Sequence, residues 1–481
     1  MLFSSTTQSE TAEYTNLEKT FIKPPQSHKR YLNTPKPHWI SSEGKIICHQ
    51  PYKKYLRTDI ADIIARFGVH DPYLEERELI AQVFPFKINE HTLTLIDWNN
   101  FLTDPVAQLI FPQPGMLSKQ EIIQLKQLKQ AKVSREVFAK AISDIRQTKN
   151  PAPANQSANR PTIEEGEDVE VVDGIQHKYS KTMLMFHKNA QTCHAYCTYC
   201  FRFNQFVGKD PFLEDDAQRM LKYVKQHPEI TDILMTGGDP ATMATEKWKE
   251  CLLPLLNSEY DHIKTVRMGT KALTYYPYRF LTAADADELI DLFKLMTQKG
   301  KHISIMAHFS HYNEMGTICL EAIKRLREAG CVVRTQAPLM KHINDSGEIW
   351  AEMWQQQVSN GLIPYYMFVA RDTGPQKYFE VTLAEALTIY QTARKELSGL
   401  GHTARGPSMS CSPGKVCVIG RETISNEDVF VLKFLQGRNP DWTDRVFFAK
   451  YCNQATWIDQ LKPAFGDQKF FFEDELKQII S

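Results

Sequence analysis

The sequence predicts an α/β fold built on parallel βα units, arranged as a barrel or as part of one. Between residues 172 and 375, short segments of strand-like composition alternate with amphipathic stretches of helical length. Such alternation is typical of parallel sheets, in which functional residues lie at the carboxyl ends of the strands. The six predicted strands are Thr182–Phe186, Asp232–Thr236, Lys264–Gly269, His302–Phe309, Val332–Met340 and Tyr365–Arg371. The predicted helices between them are Glu214–Gln226, Thr245–Leu256, Ala283–Lys299, Thr317–Ala329 and Gly347–Asn360.

Length and charge exclude several classes of protein. The 481 residues are enough for about three structural units at roughly 150 residues each. Lys and Arg together number 57 and Asp and Glu also number 57, so no global field attracts nucleic acid or anionic membrane. No apolar segment reaches the roughly 18 residues of a membrane span. The first residues, with Glu10, Glu13 and Glu18, resemble neither a secretory signal nor a transit peptide. We therefore expect a soluble, cytoplasmic protein that binds neither nucleic acid nor membrane.

Composition divides the chain into five regions. Residues 1–40 are polar and predict a flexible or draped N-terminal arm. Residues 41–150 predict a helical region, in which Ser118 and Glu121 form a capping box at the start of the clearest helical signal, within 116–150. Residues 151–171 are rich in Pro, Ala and acidic residues and predict a linker or surface loop. Residues 172–375 hold the βα units, and residues 376–481 form a C-terminal region with many aromatic residues near its end.

Three of the ten cysteines, Cys193, Cys197 and Cys200, form a C-x3-C-x2-C motif. The other seven lie apart, which is too thin for a disulfide scaffold. Three thiolates at this spacing can hold an iron–sulfur cluster and leave one iron open to a ligand. A zinc site would need a fourth ligand, such as His194 or a remote cysteine, and three buried structural cysteines are the remaining interpretation. The motif follows the first predicted strand, where a catalytic loop belongs.

The cysteine loop and the end of the second predicted strand resemble the radical S-adenosylmethionine superfamily. Tyr199 stands before the last cysteine, and the strand ends in Gly237-Gly238-Asp239-Pro240, which looks like that superfamily's GGDP element. Glycines at a strand end let the backbone approach a ligand closely. The resemblance implies a (βα)6 partial TIM barrel and a [4Fe–4S] cluster held by the three cysteines. It also implies that S-adenosylmethionine is cleaved to a 5′-deoxyadenosyl radical, and that Gly237, Gly238 and Asp239 contribute to its binding.

Further segments resemble the lysine 2,3-aminomutase family, over roughly residues 170 to 420. These segments occur in the family's order and comprise Val266–Thr270 with Tyr276–Arg279, Ala307–Glu314, Thr335–Lys341 with Asn344 and Asp345, and Pro364–Tyr366. The resemblance implies that Arg267, His308 and Gln336 belong to the S-adenosylmethionine site. A buried, hydrogen-bonded barrel histidine is the alternative interpretation of His308.

That family also uses pyridoxal 5′-phosphate, and the resemblance implies a site for it here. Lys415, after Ser412-Pro413-Gly414, lies where the family carries the lysine that binds the coenzyme, although this loop is poorer in glycine. The segment from His177 to Lys181 resembles the family's phosphate-binding segment, so Lys178, Tyr179 and Lys181 are expected at the phosphate. Lysines stand there where the family usually has arginines, and lysine binds phosphate without the bidentate contact of a guanidinium.

Substrate residues follow from the same resemblance. Arg202 corresponds to the arginine that pairs with the substrate's α-carboxylate, and stacking on neighbouring aromatic rings is its alternative role. The lysine enzyme holds the substrate ammonium with two aspartates. At those positions this chain has Arg371, or Asp372 if one residue is inserted, and Ser408. Because an arginine repels an ammonium and attracts a carboxylate, we expect a substrate with an acidic or neutral side chain.

The resemblance thus implies a 2,3-amino migration on a small-molecule α-amino acid, with Lys415 and Arg202 as catalytic residues. It also implies an electron donor such as flavodoxin or ferredoxin, and leaves a homo-oligomer open. Three alternatives remain at this point. The enzyme could act on a lysine presented by a protein or a tRNA, it could have lost pyridoxal phosphate, or the chain could be a non-catalytic iron–sulfur or zinc scaffold.

Overall fold

The computed structural model describes residues 34–41, 43–151, 159–165, 168–207 and 217–480. Residues 1–33 of the predicted arm and part of the predicted linker lie outside the described residues. The described end of the arm packs on the α/β region, because the Lys36 backbone N–H donates to the Thr282 carbonyl at 2.9 Å.

The region from residue 38 to residue 148 combines helices with two small antiparallel sheets of two strands each. The strands are β1 (His38–Ile40), β2 (Ile46–Cys48), β3 (Lys54–Leu56) and β4 (Lys87–Asn89), with β1 paired to β2 and β3 to β4. The helices are α1 (Ile60–Arg66), α2 (Leu74–Val83), α3 (Glu90–Leu93), α4 (Pro105–Ile110), α5 (Lys119–Gln130) and α6 (Arg135–Thr148).

The predicted capping box is confirmed at the start of α5. The Ser118 hydroxyl accepts from the Glu121 backbone N–H at 3.2 Å, and the Glu121 carboxylate accepts from the Ser118 N–H at 2.7 Å. The helical signal of 116–150 is divided into two helices, since the chain turns at Lys132 with φ +48°.

The predicted linker is not irregular throughout, which corrects the sequence interpretation. Strands β5 (Thr162–Glu165) and β6 (Asp168–Val171) form an antiparallel hairpin within it. Two four-residue strands rich in acidic residues give too short an apolar alternation to be recognised in the sequence.

Among the described residues, eleven strands form one sheet, ordered β17-β16-β15-β14-β13-β12-β11-β10-β9-β8-β7. Its first seven strands along the chain are β7 (Ile175–Tyr179), β8 (Thr182–Phe186), β9 (Asp232–Thr236), β10 (Thr265–Thr270), β11 (His302–His308), β12 (Val332–Leu339) and β13 (Ile363–Val369). The helices between them are α7 (Phe203–Val207), α8 (Ala217–Gln226), α9 (Thr245–Leu252), α10 (Ala272–Tyr275), α11 (Tyr278–Leu281), α12 (Ala286–Gln298), α13 (Thr317–Glu328) and α14 (Gly347–Ser359). The six predicted strands are thus confirmed as β8 to β13, all parallel, while β7 is antiparallel to β8.

The C-terminal region continues this sheet. Two helices, α15 (Gln376–Phe379) and α16 (Leu383–Lys395), lead to β14 (Arg405–Ser410), which is parallel to β13. Antiparallel strands β15 (Gly414–Ile424), β16 (Glu427–Gly437) and β17 (Val446–Lys450) follow, and α17 (Glu473–Ile480) ends the described chain. The parallel part therefore has a seventh strand that the sequence did not predict, because Gly406 and Pro407 are unusual inside a strand.

Burial alternates along β9 and β10 and distinguishes the two faces of the sheet there. Ile233 and Met235 of β9, and Val266 and Met268 of β10, are buried in the main hydrophobic core. The residues between them are half-buried on the opposite face. None of the helices in the described part of the chain is both long and apolar enough to cross a bilayer.

Candidate active site

The half-buried face of the parallel strands carries a histidine–glutamine pair. His308 ends β11 and lies beside Gln336 of β12 in register, and the Gln336 amide nitrogen is 2.9 Å from His308 Nε2. Burial, together with the nearby charges of Lys271 and Arg202, lowers the pKa of His308 to about 3. The ring is therefore neutral near pH 7 and can both donate and accept hydrogen bonds, as an amino-acid ligand requires. The structure thus brings the two residues expected at S-adenosylmethionine together.

The cysteine loop begins after β8 and carries three free, half-buried thiols. Among the described residues, the sulfur atoms of Cys193, Cys197 and Cys200 do not form a set within 4.8 Å of one another. Three thiols from one loop are the donor set that an iron–sulfur cluster takes. Burial raises the pKa of Cys193 well above its ordinary value and that of Cys200 to about 12, so thiolates here need the positive charge of a metal.

The N-terminal region covers the cysteine loop. The Lys87 carbonyl accepts from the Tyr196 N–H, and the Leu109 carbonyl accepts from the Thr198 N–H, each at 2.8 Å. The Asn89 side-chain amide donates to the carbonyls of His194 at 3.1 Å and of Tyr275 at 2.9 Å. One hydrophobic cluster joins the helices of this region to residues of the loop, namely Ala195, Cys197, Tyr199 and Phe203. The inner face of the region therefore excludes water from the cysteine loop.

The glycine pair after β9 allows close approach of the chain to itself. Gly237 has φ +135°, and a Cβ there would lie 2.5 Å from the Gln191 side chain. A Cβ on Gly238 would lie 2.5 Å from the Thr192 carbonyl oxygen. From the sequence, we expected these glycines to make room for a ligand. In the structure, a side chain at either position would collide with the segment that leads into the cysteine loop.

Asp239 braces this turn against the end of β10. Its carboxylate accepts from the Thr270 hydroxyl at 2.7 Å and from the backbone N–H groups of Lys271 and Ala241, each at 2.9 Å. Burial raises its pKa to about 6, against these hydrogen bonds. Its oxygens are thus engaged within the protein, where they hold the turn against the end of β10.

Two arginines lie near one aromatic ring of the cysteine loop. The Arg202 guanidinium is 4.5 Å from the Phe186 ring and 5.3 Å from the Phe201 ring, and Nη1 donates to the Gly237 carbonyl at 3.1 Å. The Arg371 guanidinium is 5.0 Å from the same Phe201 ring. Burial, and the charge of Arg371, lower the pKa of Arg202 to about 10, which leaves it cationic. Two guanidinium groups against one aromatic ring favour an anionic ligand nearby.

Of the residues expected to face the substrate side chain, Arg371 is the one whose side chain lies near Arg202, against the same Phe201 ring. Its Nη2 donates to the Ser410 carbonyl at 3.1 Å, while its buried Nε has no partner. Asp372 interacts through its side chain with the adjacent Thr373 at 3.5 Å. Ser408, in β14, is fully buried, and its hydroxyl also has no partner. An unpaired Arg371 nitrogen and Ser408 hydroxyl are donors for a polar ligand.

Lys415 lies on β15 between two tyrosine rings. Its Nζ is 5.0 Å from the Tyr366 ring centroid, 5.6 Å from that of Tyr179, and 3.3 Å from the Gln436 side-chain oxygen. Burial, reinforced by nearby cations that include Arg267, lowers the pKa of Lys415 to about 7. A lysine that is partly neutral near pH 7 is a competent nucleophile for an aldehyde.

Two arginines and Lys178, whose pKa burial lowers to about 7, hold the loop that leads to Lys415. Successive carbonyls of Ser410, Cys411 and Ser412 accept from Arg371 at 3.1 Å, from Lys178 Nζ at 2.6 Å and from Arg438 Nε at 2.8 Å. The buried hydroxyl of Tyr179, next to Lys178, has no partner. A phosphate is a stronger hydrogen-bond acceptor than a carbonyl. These donors and the unpaired hydroxyl could therefore bind one.

Lys181 was expected at the phosphate and Arg267 at S-adenosylmethionine. Lys181 is exposed in the turn between β7 and β8. Arg267 forms a bidentate ion pair with Asp232, through Nε to Oδ1 at 2.9 Å and Nη2 to Oδ2 at 2.5 Å. Its positive charge also helps to lower the pKa of Lys415.

Sequence reasoning missed Arg438 and a buried ion pair between Lys271 and Glu314. Lys271 Nζ contacts the Glu314 carboxylate and donates to the His308 carbonyl at 3.2 Å. Glu314 also accepts from the His311 N–H at 3.0 Å. Glu314 belonged to a motif already noted in the sequence, but only the fold brings Lys271 to it.

Comparison with known proteins follows this geometry. No family model matches the chain. An Aquifex aeolicus protein named "Putative L-lysine 2,3-aminomutase" is 28% identical over 401 residues, which cover 83% of this chain and 94% of that protein. A second protein of that name and organism is 31% identical over 265 residues, 54% of this chain and 67% of the relative. The L-lysine 2,3-aminomutase of Escherichia coli is 29% identical over 229 residues, 48% and 64% of the two chains.

Solved structures give a weaker likeness. Streptococcus suis SuiB bound to S-adenosylmethionine aligns with a TM-score of 0.34 at 14% identity over 57% of each chain. A radical SAM methyltransferase from Sphaerobacter thermophilus aligns with a TM-score of 0.34 at 13% identity, over 60% of this chain and 94% of that one.

Proposed function

Since the chain belongs to the lysine 2,3-aminomutase family, we propose that it is a pyridoxal-phosphate-dependent radical S-adenosylmethionine enzyme that moves an amino group between Cα and Cβ of an amino acid. The observation that carries the proposal is the set of unpaired donors around Lys415. Tyr179, Arg371 and Ser408 have buried polar atoms without partners, and Lys178 and Arg438 rest on loop carbonyls. A protein without a bound anion there would leave this much polar surface unsatisfied.

The cofactors would supply the hard chemistry: the cluster an electron, S-adenosylmethionine a hydrogen-abstracting radical, and pyridoxal phosphate the electronic stabilisation for amino migration. The chain's own residues do the rest. Cys193, Cys197 and Cys200 would hold the cluster, and the helical N-terminal region keeps water from it. The neutral His308–Gln336 pair would hydrogen-bond S-adenosylmethionine.

The pyridoxal phosphate site would be formed from both ends of the α/β region. Lys415, partly neutral near pH 7, would bind the coenzyme covalently. Lys178, Arg438 and the Tyr179 hydroxyl would bind its phosphate, and Lys181 would not. This set restores one guanidinium in place of the arginines that the His177–Lys181 segment lacks.

We further propose a substrate with an acidic side chain. Arg202 would bind the α-carboxylate and Arg371, on the same Phe201 ring, the side-chain carboxylate. The Arg371 guanidinium would repel the side-chain ammonium of lysine, whether the lysine is free or part of a protein or tRNA. The alternative of a lysine presented by a protein or a tRNA is therefore not favoured.

The proposal also includes a partial barrel, a cytoplasmic location and an electron donor. Seven consecutive parallel strands in sequence order are compatible with a partial barrel. All ten cysteines are free, as in the reducing cytoplasm. A reductant such as flavodoxin or ferredoxin would be needed because the cluster must receive an electron.

The test is to incubate cluster-loaded protein anaerobically with pyridoxal phosphate, S-adenosylmethionine, a reductant and either ¹⁵N-labelled L-glutamate or L-lysine. The expected product, observed by NMR, is the β-amino acid, formed faster from glutamate. Arg371→Gln is expected to raise KM for glutamate by about tenfold or more, because one charge-assisted hydrogen-bonding group is lost. Faster turnover of free lysine, or no migration with either, contradicts the proposal.

A further inference from the structure

A second group of metal-binding side chains lies away from the cysteine loop. Across the residues that the structure describes, one set of three has candidate ligand atoms all within 4.8 Å of one another, and it consists of His177, His227 and Glu229. His177 belongs to β7, whereas His227 and Glu229 follow the end of α8. The group therefore connects the strand that carries Lys178 and Tyr179 to the first long helix of the α/β region.

Each ring is already oriented by a second contact. His177 Nδ1 lies 2.7 Å from the Tyr223 hydroxyl, and the two rings meet edge to face with centroids 5.8 Å apart. His227 Nδ1 lies 2.8 Å from a Glu229 carboxylate oxygen. Metal-ligating histidines characteristically use one nitrogen for the metal and the other for such an orienting hydrogen bond. That description fits His177; at His227 the partner is Glu229, which is itself a candidate ligand, so a metal here would take the place of the proton between His227 Nδ1 and the carboxylate.

The proton on His177 can be relocated to free its other nitrogen. His177 Nε2 is 3.1 Å from the Ser180 carbonyl, so in this arrangement Nε2 carries the proton and Nδ1 accepts from Tyr223. Coordination through Nε2 would move that proton to Nδ1, which would then donate to the Tyr223 oxygen.

We propose that His177, His227 and Glu229 form a zinc site, distinct from the cysteine cluster, that fastens β7 to the end of α8. Two imidazoles and one carboxylate are a ligand set that zinc favours, with water completing a tetrahedron. The partial exposure of His227 and Glu229, 31% and 39% of their side chains, leaves room for that water. Zinc here would fix the strand on which Lys178 and Tyr179 stand.

The test uses full-length protein whose iron–sulfur cluster is loaded, so that the three clustered cysteines are occupied. Zinc is titrated under anaerobic conditions in competition with a chromophoric chelator, and zinc and iron per chain are measured by mass spectrometry after gel filtration. We expect one zinc per chain at unchanged iron content. His227→Gln is expected to weaken zinc binding at least about tenfold. His402→Gln, an exposed histidine bonded to the Arg394 carbonyl, is the matched control and should bind zinc as the wild type does.

A structural readout keeps the proposal falsifiable if His227→Gln perturbs folding. Glu229→Gln removes an exposed charge at the same site, and circular dichroism checks its fold. Zinc is expected to slow amide hydrogen exchange in β7 and α8 of the wild type but not of Glu229→Gln. The proposal is overturned if the wild type binds no zinc beyond the cluster, or if both site variants bind zinc as tightly as the wild type.

Discussion

Removing the negative charge of Glu314 should destabilise the protein more than any change at an exposed ion pair. The Glu314 side chain is fully buried, and that of its partner Lys271 is 8% exposed. Glu314→Gln leaves the Lys271 ammonium buried without a counter-charge. It also presents an amide N–H₂ to groups that can only donate, since Glu314 accepts from Lys271 Nζ, Ser310 N and His311 N.

The expected cost is about 3–5 kcal/mol, the range found when one partner of a buried ion pair is removed. That is a large part of the roughly 5–15 kcal/mol by which domains are stable. The pair also holds the end of β11, because Lys271 donates to the His308 carbonyl at 3.2 Å. Weaker S-adenosylmethionine binding should therefore accompany the loss of stability.

Equilibrium urea denaturation, followed by tryptophan fluorescence, measures the change from the shift in midpoint. The control is Asp144→Asn, which breaks the exposed Lys140–Asp144 pair on α6, 77% and 57% exposed, and should cost about 0.5 kcal/mol or less. Adding Lys271→Met to Glu314→Gln should recover part of the loss, because neither charge is then left unpaired. Equal costs for Glu314→Gln and Asp144→Asn would refute the reasoning.

Three further predictions concern the site. Gly238→Ala places a Cβ 2.5 Å from the backbone that leads into the cysteine loop, so it should destabilise the protein by about 1–3 kcal/mol and lower its iron content. In the control Gly269→Ala, the new Cβ meets nothing nearer than 3.7 Å, and iron content should not change. Iron analysis after reconstitution measures the difference. Because the pKa of Lys415 is lowered to about 7, the amine is neutral above that pH, and its adduct with pyridoxal phosphate should form faster as pH rises through about 7. A rate of adduct formation that increases only near pH 10 would contradict this. Arg438→Gln should weaken pyridoxal phosphate binding about tenfold by fluorescence titration while the exposed Lys181→Gln leaves it unchanged, and equal effects would contradict the phosphate assignment.

The strands of the α/β region were predictable from the sequence because short β-rich segments alternate with amphipathic stretches of helical length. In β10 every second residue enters the core, and the apolar Val266 and Met268 show this periodicity in the sequence itself. β14 was not predictable, since Gly406 and Pro407 weaken any strand signal and only pairing with β13 forms it. The formation of β14 therefore depends on its tertiary contacts and not on its local sequence.

The candidate site divides in the same way. The cysteine motif could be identified from its spacing, and His308 and Gln336 from the resemblance of their segments to the lysine 2,3-aminomutase family. Arg438 could not, because it reaches Ser412 from a hairpin remote in sequence. The role of the N-terminal region was hidden for the same reason, as Asn89 meets the cysteine loop only through the fold.

Borohydride reduction of anaerobically prepared protein loaded with pyridoxal phosphate, followed by peptide mass mapping, tests the central claim most directly. The claim is that Lys415 binds the coenzyme in a protein that also carries the iron–sulfur cluster. It predicts a pyridoxyl adduct on Lys415 and its loss in Lys415→Ala, with iron content unchanged. An intact cluster with no adduct on Lys415 would contradict it.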